Sequence, residues 1–252
     1  MSLFSLYGIK EVADVTFWDT VTGFPVLYLD TLKVSNIEET GEQAEARGGK
    51  GNAPLIIWDY GKEITLTLED ALFSMKSMQI MHGAKEIFEK SETIDRIGKG
   101  VVAKKDTTYY VPGFERIDVT YSYYNEKGEK IEALAEEHNG KMVIVHWSES
   151  VVAESIVISS DTFPGTYRIT GDTFARNQAT GIDEFFQFIV PLAKVNPEQT
   201  ITMQADGDPS TFSMTVRVLR PADGKMLQLI KYPNPDKATN TSKPEDESAG
   251  EE

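Results

Sequence analysis

The chain has 252 residues, with 40 acidic against 25 basic side chains and a formal net charge of −15. That balance argues against a conventional nucleic-acid binder, whose affinity comes from neutralising phosphates, and the absence of cysteine excludes disulfides and thiolate chemistry. No stretch offers the roughly 18–20 uninterrupted apolar residues of a membrane helix, and the first residues lack the basic-then-apolar pattern of a signal peptide, so a soluble chain, intracellular when made, is expected.

In chain order, Tyr7–Trp18 reads as a first strand and Thr22-Gly23 as a turn. Val26–Ile37 reads as a strand and Glu63–Glu69 as another. In the latter, Ile64, Leu66 and Leu68 alternate with Thr65 and Thr67, the period of a half-buried strand. Between them lies Glu38–Lys62, far longer than the about two to five residues of a hairpin loop. This glycine-punctuated arm carries Arg47, Gly48, Gly49, Lys50, Gly51 and Asn52, then an apolar run of Leu55, Ile56, Ile57 and Trp58. A basic, mobile tip followed by a sticky base suggests a limb that grips a neighbouring molecule.

Asp70–His82 is expected to be a helix with Leu72, Met75 and Met78 on its core face and Gly83 at its end. Ala84–Lys105 reads as polar and irregular. Thr107–Val119 and Val119–Tyr124 read as short strands, Lys141–Trp147 as a buried strand and Ser150–Ser159 as one more. Tyr109, Tyr110, Tyr121, Tyr123 and Tyr124 crowd this region; sheet packing is the commoner use of such tyrosines, and stacking on sugar rings the rarer one. The second half is more regular. Tyr167–Thr170 leads into a turn and a second arm through Arg176 and Asn177. Glu184–Val190 is apolar on both faces, Ile201–Ala205 and Phe212–Val218 alternate, and Lys225–Tyr232 closes the set. A strand apolar on both faces must be covered on both, which favours a sandwich or barrel. The last twenty residues hold six acids and two lysines with almost no apolar content, so Pro233–Glu252 is expected to be a disordered tail. Eleven of the fifteen net negative charges then belong to the body.

No enzymatic pattern survives inspection. Gly48–Asn52 cannot be threaded by a phosphate-binding loop, since Asn52-Ala53 stands where Lys-Ser/Thr is required. His82, His138 and His146 have no metal-ligand spacing, Asp206-Gly207-Asp208-Pro209 lacks the remaining ligands of a calcium loop, and there is no Gly-x-Ser-x-Gly elbow. No catalytic residue, metal or cofactor is expected.

The ordered blocks Asp30–Ile37, Ala46–Asn52 and Tyr60–Leu68, followed by Gly165–Thr170, Arg176-Asn177, Thr180–Val190 and Thr200–Leu219, resemble the major tail tube proteins of long-tailed bacteriophages. The resemblance covers most of residues 24–82 and 163–220. It leaves residues 84–160 as an insertion or elaboration within a domain spanning residues 1–232. It implies a mainly β fold, an antiparallel β-sandwich or barrel with one flanking α-helix and a long inter-strand arm. It also implies a structural subunit of the virion tail, assembled in the host cytoplasm without contact with a membrane. Its partners would be copies of itself in stacked rings, hexameric in the usual form, other tail proteins, and phage DNA in transit through an acidic lumen. By the same resemblance the arm crosses a subunit boundary, with Leu55–Trp58 as buried anchors and Arg47 and Lys50 reaching an acidic neighbour. Other readings compatible with the residues are a head decoration protein, a tail terminator, or a carbohydrate-binding β-sandwich using the tyrosine cluster.

Overall fold

The structure, a computed structural model, describes residues 6–198, 201 and 211–233. Of the expected Ile201–Ala205 strand only Ile201 is described, bridging to Phe212; its remainder, the Asp206–Pro209 turn and all of the expected tail beyond Pro233 lie outside the described residues. The elements begin with β1 (Tyr7–Ile9), β2 (Asp14–Asp19), β3 (Pro25–Leu29), β4 (Leu32–Gly48), β5 (Ala53–Asp70) and α1 (Met75–His82). They continue with β6 (Ile87–Val101), β7 (Ala103–Lys105), β8 (Thr108–Tyr110), β9 (Tyr121–Tyr124), β10 (Lys130–Ile131) and β11 (Met142–Ile156). The last four are β12 (Thr166–Asn177), β13 (Asp183–Val195), β14 (Phe212–Val218) and β15 (Gln228–Tyr232). The fold is mainly β, antiparallel and sandwich-like, with one α-helix among the described residues.

The chain divides into two compact units, one running to Glu86 and resuming at Val157, the other Ile87–Ile156. In the first, a nine-stranded sheet runs β3-β2-β12-β13-β14-β5-β4, with β1 added beside β12 and β15 beside β13. Its two end strands, β3 and β4, come together, because Leu29 and Leu32 line one small apolar gap with Leu68, Met81 and Met214; beside them Ala13, just before β2, donates its N–H to Ser35 Oγ of β4 at 3.2 Å. The sheet is therefore curled around a single core of Val15, Phe17, Leu66, Ile169, Val190 and Val216, each fully buried. At Gly171, the Phe188 ring of the paired strand occupies the side-chain position; a Cβ there would meet the ring at less than 3 Å. Helix α1 contributes Ile80 and Met81 to the same core.

Several sequence expectations are corrected. Tyr7–Trp18 is two strands, both pairing with β12. Val26–Ile37 breaks at Asp30-Thr31, where the chain changes partner from β2 to β5. The helix starts five residues later than expected, because Asp70 is still in β5 and its carboxylate accepts Thr31 Oγ–H at 2.5 Å and the Leu72 N–H at 3.1 Å. Ser74 is the true N-cap, in a reciprocal box with Ser77. The buried face is accordingly Ser77, Ile80 and Met81, with the expected Met78 partly buried against the same core, while Leu72 is 63% exposed.

The hairpin joining β2 to β3 shows how local chemistry fixes a turn. The Asp19 carboxylate accepts the N–H groups of Val21 at 2.9 Å and Thr22 at 2.6 Å and the Thr22 hydroxyl at 3.0 Å. Those donors favour the ionised form and hold its pKa below the ordinary 3.8. A lowered folded-state pKa adds stability that is complete at neutral pH and is lost as pH falls through the folded value. Asp19→Asn, which keeps the shape and removes the charge, is therefore expected to melt lower than the parent at pH 7. The two curves should converge as pH falls below the lowered folded-state value of Asp19, in thermal denaturation followed across pH.

In the second unit, the expected irregular stretch Ala84–Lys105 is instead the long strand β6. It pairs with β11 over 15 residues without a register shift. β11 is one continuous strand where two were expected. The Thr107–Val119 strand shrinks to β8, since Pro112 and Gly113, the latter at φ +88°, turn the chain. The sheet order is β10-β9-β11-β6. Its core is Val102, Val111, Val143 and Val145, with Tyr109, Tyr121 and Tyr123 packed against it. Phe114, Tyr121 and Trp147 form a mutual aromatic contact with centroids 5.4–6.0 Å apart. The tyrosine cluster thus supplies packing, and burial raises the Tyr123 pKa. Glu149 ties this unit together: its carboxylate receives Arg96 Nε at 2.8 Å and Arg116 Nη1 at 2.7 Å, and Arg116 also holds Asp118.

Candidate functional site: the β4–β5 arm

The arm is not a loop. β4 and β5 remain paired from Leu32/Asp70 out to Gly48/Ala53, and only Gly49–Asn52 turns. Gly49 and Gly51 have φ of +78° and +88° and Asn52 of +50°, a conformation open to glycine and tolerated by asparagine. The inner part, β5 from Ile64 to Asp70, alternates buried and half-buried against β14. β14 stops pairing at Thr65. From Glu63 outward, past the buried Ile64, every β5 residue is exposed, and β4 and β5 continue as a two-stranded ribbon with both faces in solvent.

The ribbon leaves the sheet at a β-bulge. Register shifts between Thr40 and Glu42, and Gly61 opposite adopts φ +64°. An unpaired residue in one strand bends the ribbon and increases its twist. A second shift lies between Ala46 and Arg47.

The named arm residues fall into two groups. Leu55, Ile56, Ile57 and Trp58 are 50–68% exposed, as is Tyr60 at 53%. Because successive strand residues point to opposite faces, Ile56, Trp58 and Tyr60 share one face. They stand beside Ala46, Ala44 and Glu42, so two alanines leave the large side chains uncovered. Leu55 and Ile57 lie on the other face. Exposed large apolar groups on both sides of a ribbon are rare on an isolated soluble protein and mark contact surfaces. Tyr60 is an addition to the residues singled out in the sequence, although it continues the Ile56, Trp58 alternation.

The polar groups are arranged within the ribbon. Arg47 pairs with Glu45 two residues away on its own strand at 2.5 Å, so it is already engaged. Gln43 Nε2 donates to Asp59 Oδ1 at 2.8 Å, and Lys62 pairs with Glu39 at 2.6 Å. Lys50 stands at the exposed turn, and no ion pair involves it among the described residues.

Arg176 and Asn177 do not lead into an arm. They end β12, and residues 178–182 turn directly into β13. Arg176 forks onto Asp183 at 2.7 and 2.8 Å. Asn177 is buried, its Oδ1 accepting the N–H groups of Ala179 and Thr180 and its Nδ2 donating to Tyr7 Oη at 3.1 Å. The signal for this closed turn is present in the sequence: an asparagine that can cap its own turn, and Gly181, which adopts φ +67°.

The first unit is thus a curled antiparallel sheet that extends a β-ribbon with exposed apolar side chains beyond its own core. The chain belongs to the YomU/Tube protein family, whose model matches residues 7–231. It is also similar to a protein named tail tube protein from Bacillus phage SPR, at 29% identity over 121 residues. That stretch covers 48% of this chain and 44% of the relative, so the chain matches less than half of the relative's length. No helix among the described residues is long and apolar enough to cross a membrane.

Proposed function

We propose that this protein is the structural subunit of a phage tail tube and that it self-associates through the β4–β5 arm. Membership in the YomU/Tube family and similarity to a named tail tube protein support the class of function. The observation that carries the assembly reading is the exposed apolar strand Leu55–Tyr60 on a ribbon with no covering layer of its own. Burying the exposed halves of Leu55, Ile56, Ile57 and Trp58 against a neighbour is worth about 3–6 kcal/mol, or roughly 10²–10⁴ in an association constant. Lateral pairing also removes the hazard of the free outer edge of β4 along the ribbon. In this reading copies close into rings by rotation, and the rings stack head to tail into a hollow tube, since a heterologous contact that does not close grows a filament. The acidic body suits a wall along which DNA must slide, because fixed cations would hold the phosphates.

Negative-stain electron microscopy with light scattering across a concentration series tests this. Rings and tubes of uniform width are the expected result; monomers at every concentration would overturn self-association. Trp58→Ala removes about 1–2 kcal/mol of docking area from a side chain that is already half exposed. Assembly should need roughly tenfold more protein, while the thermal midpoint moves by no more than about 2 °C. A large drop in that midpoint would show that Trp58 serves its own fold.

A further inference from the structure

A second contact surface is written in the charges of the sheet's outer face. Two cross-strand pairs there place like charges directly opposite each other, an arrangement that costs stability unless something external relieves it. On β13 and β14, Lys194 stands opposite Arg217. On β2 and β12, Asp14 stands opposite Asp172. All four point away from the core, since their strand neighbours Val15, Gly171, Thr173, Val195, Val216 and Val218 are buried.

The cationic pair lines a cleft of about 520 Å³ at the root of the arm, shared with Glu63, Thr65, Asn196 and Pro197. Arg217 is engaged by Glu63. Lys194 has no acidic partner among the described residues, so the cleft carries one positive charge in excess. The acidic pair meets neutral donors: Tyr28 Oη–H to Asp14 at 3.3 Å and Gln187 Nε2–H to Asp172 at 2.7 Å. Asp30 adds to the same field. After burial, the charges of Asp14, Asp30 and Asp172 together raise the Tyr28 pKa. The nearby cation Arg168 is stacked over the Trp18 ring, 5.5 Å from its centroid.

We propose that the Lys194–Arg217 cleft of one copy receives the Asp14–Asp172 face of the next. The occupant is a second copy because the complementary charge is already present on the same chain, on a different pair of strands. Two different patches that fit each other make a heterologous contact, and rotation about an axis closes it into a ring. The contact rests on the tail-tube reading above and adds to it a lateral surface distinct from the apolar arm. Charge pairing of this kind sets register and encounter rate and is screened by salt.

The test uses two variants of the full chain, Asp172→Lys and Lys194→Glu, each first shown by circular dichroism to melt like the parent. Each alone sets like charge against like, and should require at least about tenfold more protein to form rings in light scattering and electron microscopy. An equimolar mixture should regain parental assembly, because each variant's altered patch then meets an opposite charge on the other. Parental assembly by either variant alone, or no rescue on mixing, overturns the proposal while leaving the arm reading intact. A parent that never assembles overturns both. If the cleft instead holds a polyanion such as DNA, Lys194→Glu would lose that binding and assemble normally, which also overturns it.

Discussion

A chain in which Gln43–Asp59 is replaced by an Asn-Gly turn is expected to fold as the parent does and to lose assembly altogether. The cut joins Glu42 to Tyr60, which are already cross-strand partners, and Asn-Gly is the residue pair that closes a two-residue hairpin with the twist the strands require. Nothing removed belongs to the core: every residue from Gln43 to Asp59 is exposed or half-exposed, and none joins the cluster around Phe17 and Leu66. The thermal midpoint should therefore stay within about 3 °C of the parent. Assembly should fall by the full roughly 10²–10⁴ carried by the four apolar anchors, enough to abolish rings at micromolar concentration. The experiment is stronger than deleting Gly41–Asn52 alone, which would strand Leu55–Trp58 without their β4 partners and invite aggregation. Tubes of ordinary length from the trimmed chain would remove the arm from any account of assembly.

The largest effect on stability is expected at Gly83. This residue ends α1 with φ +68° and ψ 25°, and its N–H closes the last turn onto Gln79 O. Left-handed geometry alone costs a side chain roughly 1 kcal/mol. More serious, a Cβ here would sit less than 3 Å from the backbone carbonyl of Phe163 and the nitrogen of Pro164. Backbone cannot rotate away as a side chain can, so either the helix end or the Phe163-Pro164 segment must move. Gly83→Ala should cost about 3 kcal/mol or more, a fall of about 6–12 °C in the melting temperature for a chain of this size. Gly224→Ala is the control. It also has positive φ, at +78°, but nothing lies within 4 Å of its Cβ position, so about 1 kcal/mol is expected. Equal losses at the two positions would mean that conformation, not the Phe163 contact, dominates.

How much of this is legible in the sequence depends on which strands have a dry side. Ile64, Leu66 and Leu68 alternate with threonines because one face meets the core, and that strand stands where its pattern puts it. Outer β4, with Glu38, Glu39, Glu42 and Glu45, and β6, with Glu89, Lys90, Glu92 and Asp95, have little or no dry face. A ribbon wet on both sides imposes no period of two, so in sequence both resemble arm or irregular chain. The apolar run Leu55–Trp58 is visible as composition, but its division between two faces needs the pairing with Ala44 and Ala46. Arg47, expected to reach an acidic neighbour, instead meets Glu45 two residues upstream, a proximity that only an extended backbone creates. Arg176 and Asn177, expected in a second arm, close a short turn in which Asn177 is the buried cap. The opposed like charges Asp14/Asp172 and Lys194/Arg217 cannot be read at all, because register between distant strands is not written in either strand alone.

The pairing of Ile87 with Ile156 has a consequence of its own. The first and last residues of the second unit are cross-strand neighbours, so their Cα atoms stand about 5 Å apart, the spacing of any hairpin's two legs. Ordering the 70 residues from Ile87 to Ile156 asks no loop-closure entropy of the remainder, since that unit's own sheet already brings its ends together. For the chain on either side, the entire unit is equivalent to one tight turn.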